Sequence, residues 1–200
     1  MERRKFLLAM TAMLATGTEL LKAEPQANGR TLVVYYSRRG MNYVGGKIMD
    51  LKVGNTEVIA KKIQALTGSD IFQIETVKSY PADYTETTKV AQQEKDTNAR
   101  PVLKSKVSNM NDYNVIYLGY PIWWGTMPMA VYTFLTTYDF AGKTIIPFCT
   151  NEGSGLGSSV QDIRRLCPKA KVLGGLEIKG SAVNEAASET KVQNWIKSSR

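Results

Sequence analysis

The fold is decided by one stretch of sequence, residues 115–125, which reads Val-Ile-Tyr-Leu-Gly-Tyr-Pro-Ile-Trp-Trp-Gly. Its first half is an apolar run of the kind that forms a strand buried on both faces of a sheet. Trp123 and Trp124 follow Pro121, where that strand should end. Two adjacent indoles on a loop either fold back over the core or form a surface for a flat aromatic ligand. The pair alone leaves both interpretations open.

Apolar runs of similar length recur along the chain and alternate with segments of helical period. The predicted strands are 32–36, 71–74, 115–120, 144–148 and 172–178. Between and after them, apolar residues share helical faces, and the last of these stripes contains Val192, Trp195 and Ile196, so Trp195 is predicted to be a core residue. Such alternation predicts an α/β fold, a doubly wound parallel sheet with helices on both faces. In this class of fold, ligands bind outside the carboxyl ends of the strands.

Two connecting segments have their own character. The polar segment 83–98 predicts an exposed helix before Pro101. Residues 41–53 separate the first strand from its helix, a connection longer than the roughly 2 to 6 residues that are usual. Within it, Gly45-Gly46 stands between 42–44 and 47–49 and predicts a two-residue hairpin turn. A small flap is expected there.

Composition limits the domain organisation and the chemistry. A chain of 200 residues with 43% hydrophobic and 22% charged residues predicts one globular domain, here 30–200. The sequence contains no histidine, which excludes histidine triads and most metal sites, so we predict neither catalytic side chains nor a metal. Cys149 and Cys167 lack the spacing of a redox or zinc motif, and buried free thiols are favoured over a disulfide.

The first 29 residues differ from the rest. Arg3, Arg4 and Lys5 precede an apolar stretch, 6–14, and a polar segment that contains Pro25. This order is typical of a signal peptide, and the paired arginines resemble the twin-arginine export signal. Export of the unfolded chain and a plain amphipathic N-terminus remain alternatives. No apolar stretch reaches the ~20 residues that span a bilayer. We therefore expect an exported protein, periplasmic or extracytoplasmic, without a membrane span in its mature chain.

The formal net charge is +8. The lysines and arginines are spread along the chain without an aromatic-interleaved cluster, which favours a solvated surface over a nucleic-acid interface.

The loop after the first strand combines the features of a phosphate site. It begins Ser37-Arg38-Arg39-Gly40 and, beyond residues 41–53, resumes as Gly54-Asn55-Thr56-Glu57 at a predicted helix start. Hydroxyls, glycine and free backbone N–H groups at a helix N-terminus bind phosphate without histidine or metal. A structural role in capping the helix is the alternative for Thr56.

These fragments resemble the phosphate loop of the flavodoxin family, here interrupted by residues 41–53. The stretch 120–125 is similar to the family's second flavin loop, and Thr-Asn-Glu-Gly-Ser-Gly at 150–155 is similar to its third. The resemblance covers about residues 31–198, and its three motifs occur in order, each behind its expected strand. It implies the cofactor FMN and a five-stranded sheet of order 2-1-3-4-5 in a three-layer α/β/α arrangement.

The resemblance also implies the roles of individual residues. The phosphate would be held by Ser37, Asn55, Thr56 and the backbone of Gly54. The isoalloxazine would be bordered by the second loop, Pro121, Ile122, Trp123, Trp124 and Gly125, with one indole stacked on it. Its pyrimidine side would meet the third loop, Thr150, Asn151, Gly153, Ser154 and Gly155. Arg39 replaces a hydroxyl of the family pattern and either contacts the phosphate or points to water.

Three functions follow from these expectations. The first is an exported FMN-binding redox protein that passes electrons at the flavin edge to a partner protein or small molecule. The second is an FMN-dependent reductase of quinones or similar acceptors that uses a nicotinamide donor, with Arg38, Arg39 or the flap contacting the second ligand. The third is a flavin-free binding module. Electron-carrier flavodoxins are strongly acidic around the flavin, and the basic chain weakens the simple carrier interpretation.

Overall fold

A computed structural model describes residues 30–199, and the predicted signal peptide lies outside them. The strands are β1 (Arg30–Tyr36), β2 (Gly40–Val44), β3 (Lys47–Leu51), β4 (Asp70–Ile74), β5 (Tyr113–Pro121), β6 (Thr144–Asn151), β7 (Lys171–Val172) and β8 (Leu176–Lys179). The α-helices are α1 (Asn55–Thr67), α2 (Tyr84–Asp96), α3 (Met129–Thr137), α4 (Ser159–Leu166) and α5 (Ala186–Ser198). Within this part of the chain, no helix is long and apolar enough to cross a bilayer.

The main sheet is parallel and confirms the predicted fold. Its order is β4-β1-β5-β6, and both β7 and β8 pair with β6 on the far side. Taking β7 and β8 as one interrupted strand, this is the order 2-1-3-4-5. The predicted continuous strand over 172–178 is wrong in that detail. A Cβ at Gly175 would lie 2.7 Å from Leu156, so the backbone and this side chain pack too closely for an ordinary strand residue.

Helices cover both faces of the sheet because the strands are apolar on both sides. Along β1, Leu32 and Val34 belong to one buried cluster, and Val33 and Tyr35 belong to another. The first cluster includes residues of α3 and α4, and the second includes residues of α1 and α5. The fold therefore has three layers. Trp195 confirms its predicted core position, since its ring makes edge contacts with Tyr117 and Phe148 at centroid distances of 5.5 and 6.4 Å.

Three local predictions are also confirmed. Strands β2 and β3 form an antiparallel hairpin around Gly45 and Gly46, whose positive φ angles of 58° and 90° are those of a tight hairpin turn. Helix α2 lies in the predicted polar segment, and the carboxylate of Asp83 caps it by accepting from the N–H of Glu86 at 2.8 Å. Cys149 and Cys167 are free and buried.

Candidate functional site

Three loops meet where β1, β5 and β6 end, at the carboxyl edge of the sheet. The buried hydroxyls of Thr56 and Thr150 lie 2.8 Å apart and join the first loop to the third. The N–H of Ile122 donates to the carbonyl of Thr150 at 2.9 Å and joins the second loop to the third. The three predicted motifs are thus assembled into one structure.

A cleft opens between these loops, and we call it the cleft throughout. Nine of the residues predicted from the sequence line it: Ser37, Asn55, Thr56, Pro121, Ile122, Trp123, Thr150, Asn151 and Ser154. Six further lining residues were not among the predicted cofactor-binding residues: Arg38, Asn42, Tyr43, Tyr84, Glu152 and Gly180. Six predicted residues do not line it: Arg39, Gly54, Trp124, Gly125, Gly153 and Gly155.

The first loop wraps the N-terminus of α1. The hydroxyl of Ser37 accepts from the N–H of Glu57 at 3.0 Å, and Gly54 occupies the N-cap position in an extended conformation. A Cβ at Gly54 would collide with the Ser37 hydroxyl and the Arg38 carbonyl, so only glycine fits between them. The first N–H groups of a helix have no partner within the helix, and the helix dipole adds partial positive charge there. The cleft therefore ends in an anion-binding geometry that is built on Asn55 and Thr56.

Arg39 lies outside this geometry. Its guanidinium pairs with the carboxylate of Glu57 at 3.3 Å, and Lys61 pairs with the same carboxylate at 2.8 Å. Burial raises the pKa of Glu57, but the hydrogen bond from Lys61 and the charge of Arg39 outweigh it, and the net shift is downward. Of the two predicted alternatives for Arg39, a contact with the phosphate or a side chain in water, the second fits, because the side chain is 61% exposed and also pairs with Glu57.

Arg38 has a structural role in the cleft wall. Its guanidinium donates to the carbonyls of Met41, Pro81 and Ala82, the last two at 2.7 Å. These contacts tie the base of the hairpin to the segment that precedes α2. Burial lowers the pKa of Arg38, in spite of neighbouring carboxylate and phenol groups that raise it.

The second loop turns tightly at its tryptophans. Trp123 and Thr126 exchange backbone hydrogen bonds of 2.8 and 3.1 Å, and the two residues between them, Trp124 and Gly125, have φ angles of 51° and 80°. A positive φ is uncommon for a bulky residue and costs about 1–3 kcal/mol, and such residues cluster at ligand sites. The surrounding contacts therefore hold Trp124 in a specific position.

The two indoles have different positions. Trp123 packs on the core with edge contacts to Tyr36 and Tyr80 at centroid distances of 5.5 and 5.2 Å, and it also lines the cleft. Trp124 lies on α2, where its Nε1–H donates to the carbonyl of Thr88 at 2.9 Å, and it is 49% exposed. Trp123 therefore both covers the core and offers a surface to a ligand, the two interpretations that the sequence left open. Trp124 borders a neighbouring cavity instead of the cleft.

The third loop is organised from within by Asn151. Its Oδ1 accepts from the N–H groups of Gly153 and Gly155 at 2.7 and 3.2 Å, and its Nδ2 donates to Glu177 at 2.9 Å. The two glycines have positive φ angles of 119° and 61°, so the loop curls around the asparagine side chain. Gly153 and Gly155 therefore shape the loop, and Ser154 between them faces the cleft.

Glu152 lines the cleft and connects the third loop to the hairpin. Its carboxylate accepts from the N–H of Gly45, at the tip of the hairpin, at 3.2 Å and from the N–H of Ser181 at 2.9 Å. Next to Ser181, Gly180 packs so tightly that a Cβ there would collide with the side-chain amide of Asn55 and lie 2.6 Å from Glu152. No local sequence pattern signals these contacts, since they join residues far apart in the chain.

Two tyrosines from different elements face each other across the cleft wall. The ring of Tyr43, on the hairpin, and that of Tyr84, on α2, are 6.4 Å apart and inclined by 31°. Behind Trp123, the hydroxyl of Tyr80 donates to the carboxylate of Glu94 at 2.6 Å. Burial raises the pKa of Glu94, although the hydrogen bond from Tyr80 opposes this. The cleft is thus an aromatic slot with an anion-binding end.

Comparisons with known proteins agree with this geometry. A sequence model of the flavodoxin family matches residues 50–199. A candidate flavoprotein from Bacteroides eggerthii is 27% identical with a TM-score of 0.68, over 86% of this chain and 98% of that one. A second, from Bacteroides uniformis, is 29% identical with a TM-score of 0.65, over 84% and 98% of the two chains.

A flavoprotein from Lactobacillus acidophilus, solved in complex with FMN, shares the fold at 20% identity and a TM-score of 0.57. The comparison covers 80% of this chain and 99% of that one. No curated protein sequence is significantly similar to this chain.

Proposed function

Since this chain belongs to the flavodoxin family, whose cofactor is FMN, we propose that it is a redox protein that holds FMN in the cleft. The observation that carries the proposal is that Thr150 joins an anion-binding helix end, through its hydroxyl bond to Thr56, to an aromatic slot, through its backbone bond to Ile122. A flavin mononucleotide has the same two parts, a phosphate and a flat ring system. When bound, FMN supplies the electron-transfer chemistry.

The donor groups present suit a phosphate at one end of the cleft. Ser37, Asn55 and Thr56 line that end, and Asn55 and Thr56 are the first two residues of α1, where helix N–H groups lack partners within the helix. Glu152 lines the same cleft, but its carboxylate already accepts hydrogen bonds from the backbone N–H groups of Gly45 and Ser181. A dianion is therefore bound by hydroxyls and backbone dipoles, without histidine or metal.

At the other end, the ring system meets aromatic and apolar surface. Ile122 and Trp123 border it from the second loop, and Tyr43 and Tyr84 stand on the side of the hairpin and α2. Trp123 is held by Tyr36 and Tyr80, so its orientation is fixed before a ligand arrives. A fixed aromatic wall favours binding of a flat ring by about 1 kcal/mol beyond its area burial.

The test is to purify the full chain, record its absorption spectrum and titrate the stripped protein with FMN and with riboflavin. We expect a yellow protein and a clear preference for FMN, because riboflavin lacks the phosphate. Equal affinity for FMN and riboflavin would contradict the proposal that the N-terminus of α1 binds the phosphate. A colourless protein that refuses both would support the binding-module alternative.

A second candidate function is an FMN-dependent reductase of quinones or similar acceptors with a nicotinamide donor. One observation favours it over a simple electron carrier, which is the cavity that adjoins the cleft beside Trp124. Anaerobic mixing with NADPH distinguishes the two functions. Bleaching of the bound flavin by NADPH supports the reductase, and an unbleached flavin that a chemical reductant still bleaches supports the carrier.

The order of residues at the N-terminus supports export. Arg3 and Arg4 followed by the apolar stretch 6–14 fit the twin-arginine signal, a route that carries proteins already folded around a cofactor. Fractionation of cells that express the full chain tests this. Periplasmic or extracytoplasmic protein that is lost when Arg3 and Arg4 are both replaced by Lys supports export, and unchanged distribution contradicts use of the twin-arginine route.

A further inference from the structure

A second cavity, which we call the side pocket, adjoins the cleft. It encloses about 400 Å³ between α2 and the turn at Trp124. Tyr84, Thr88 and Ala91 form its wall on α2, and Ile122, Trp123 and Trp124 form the opposite wall. Five of its lining residues also line the cleft, so the two spaces are neighbours with a common wall: Arg38, Asn42, Tyr84, Ile122 and Trp123.

The side pocket has rigid, flat walls. Trp124 is fixed there by three constraints: its backbone has a φ of 51°, its indole N–H donates to the carbonyl of Thr88 at 2.9 Å, and its own carbonyl accepts from Lys95 at 2.6 Å. Holding a tryptophan with positive φ costs free energy, which the surrounding contacts must offset. A half-exposed indole held in this way presents an aromatic surface at a constant place.

Three polar side chains that line the side pocket, those of Arg38, Thr87 and Thr88, are already engaged by the protein. The guanidinium of Arg38, a lining residue, donates to the carbonyls of Pro81 and Ala82 at 2.7 Å. The hydroxyl of Thr87 donates to the carbonyl of Pro81 at 2.8 Å, and that of Thr88 to Thr85 at 2.7 Å. A charged ligand would have to draw these donors away from backbone carbonyls, leaving those carbonyls unpaired at about 1–3 kcal/mol each.

We propose that the side pocket is a second binding site, and that its ligand is an uncharged, planar aromatic molecule of the naphthoquinone class. Flat apolar walls suit such a ring, and its carbonyl oxygens need no cation. A nicotinamide dinucleotide does not suit the site, because its pyrophosphate requires a cation. The Arg38 guanidinium already donates to the carbonyls of Pro81 and Ala82. The inference rests on the proposed function in one respect: flavin in the cleft would make this ligand an electron partner.

The test follows the indole N–H resonance of Trp124 in two-dimensional spectra of the full, FMN-loaded chain. The probe is 2,3-dimethyl-1,4-naphthoquinone, which cannot alkylate thiols at its blocked ring positions. We expect a saturable shift of the Trp124 resonance. Thr88→Tyr, which fills the side pocket, should weaken this binding at least tenfold, and Thr85→Tyr, on the exposed face of the same helix, should leave it unchanged.

Several outcomes would overturn the inference. They are the absence of a saturable shift, equal binding by the Thr88→Tyr and Thr85→Tyr proteins, and a saturable shift of the same resonance with NAD⁺, which carries the pyrophosphate but cannot reduce the flavin. A further contradicting outcome is that FMN loading shifts the Trp124 resonance and the FMN-loaded chain no longer binds the naphthoquinone probe. That result would assign the side pocket to the flavin itself. Repeating the titration without FMN separates the two proposals. A chain that refuses FMN but binds the probe contradicts the proposed function and leaves the second site standing.

Discussion

The carboxylate of Glu152 accepts a hydrogen bond from the backbone N–H of Gly45 at 3.2 Å, although the two residues are 107 positions apart. Its other oxygen accepts from Ser181 at 2.9 Å. A two-stranded hairpin is at best marginally stable by itself. This side chain therefore fastens the tip of the hairpin to the third loop, while Arg38 holds the base of the hairpin.

Replacing Glu152 with Ala should release the hairpin tip. Both N–H groups then lose their acceptor, and we expect faster hydrogen exchange at Gly45 and Ser181, by the equivalent of about 1–2 kcal/mol. Glu189→Ala, at an exposed carboxylate on α5, is the control and should leave exchange at both amides unchanged. Equal exchange in the wild-type and Glu152→Ala proteins would show that the hairpin is held by something else.

The hydroxyl pair of Thr56 and Thr150 should show coupling. Thr56→Val or Thr150→Val keeps the shape but leaves the other buried hydroxyl unpaired, at a cost of about 1–3 kcal/mol in unfolding free energy. We expect the double variant to lose less than the sum of the single variants when all are unfolded in urea. Strict additivity would mean that the pair does not bind the loops together.

The two tryptophans should differ in their effect on FMN. Trp123 lines the cleft and Trp124 does not, so Trp123→Leu should weaken FMN binding by about 1 kcal/mol or more, with Trp124→Leu having the smaller effect. Titration of the stripped variants with FMN measures both affinities. A larger loss of FMN affinity with Trp124→Leu would show that the flavin ring lies over the turn, with Trp124 as the stacked indole.

Gly180 offers a test of the phosphate end without changing a polar group. A Cβ there would collide with the side chain of Asn55, so Gly180→Ala should weaken FMN binding. Gly174→Ala is the matched control, because a Cβ at Gly174 meets no atom within 4 Å. Equal FMN affinity in these two variants would remove Asn55 from the phosphate site.

Glu57 should make the fold sensitive to acid. Burial raises its pKa, but the Lys61 hydrogen bond and the Arg39 charge lower the pKa by more than burial raises it. The pKa in the folded protein therefore lies below the ordinary value of 4.5. Such a carboxylate contributes stability that is complete above the unfolded pKa and is lost as pH falls through the folded one. Below pH 4.5 the unfolding free energy of the wild type should therefore fall more steeply than that of Glu57→Gln. Parallel curves from urea unfolding at several pH values would contradict this.

The sequence predicts the sheet and the three loops because their signals are local. Apolar runs such as 115–120 mark strands wherever the chain is buried, and Gly45-Gly46 marks the hairpin through its positive φ angles. The interruption of the fifth strand falls at Gly174-Gly175, and there a residue outside the strand is also involved, since the Leu156 side chain packs against Gly175.

The composition of the cleft was harder to predict for the same reason. Arg39 stands within a phosphate-loop motif, but its guanidinium pairs with the buried carboxylate of Glu57 in the first turn of α1. Glu152, Gly180 and Tyr84 enter the cleft through contacts with residues far along the chain, which no motif encodes. Even the difference between Trp123 and Trp124 depends on a turn conformation that is fixed by tertiary contacts.

In the binding mode that we propose, FMN occupies the cleft with its phosphate at the N-terminus of α1. A titration of the stripped full chain with FMN, followed through backbone and indole N–H resonances, tests it most directly. We expect the largest shifts at Asn55, Thr56 and the indole of Trp123. Absence of any shift, or largest shifts remote from these residues, would contradict it.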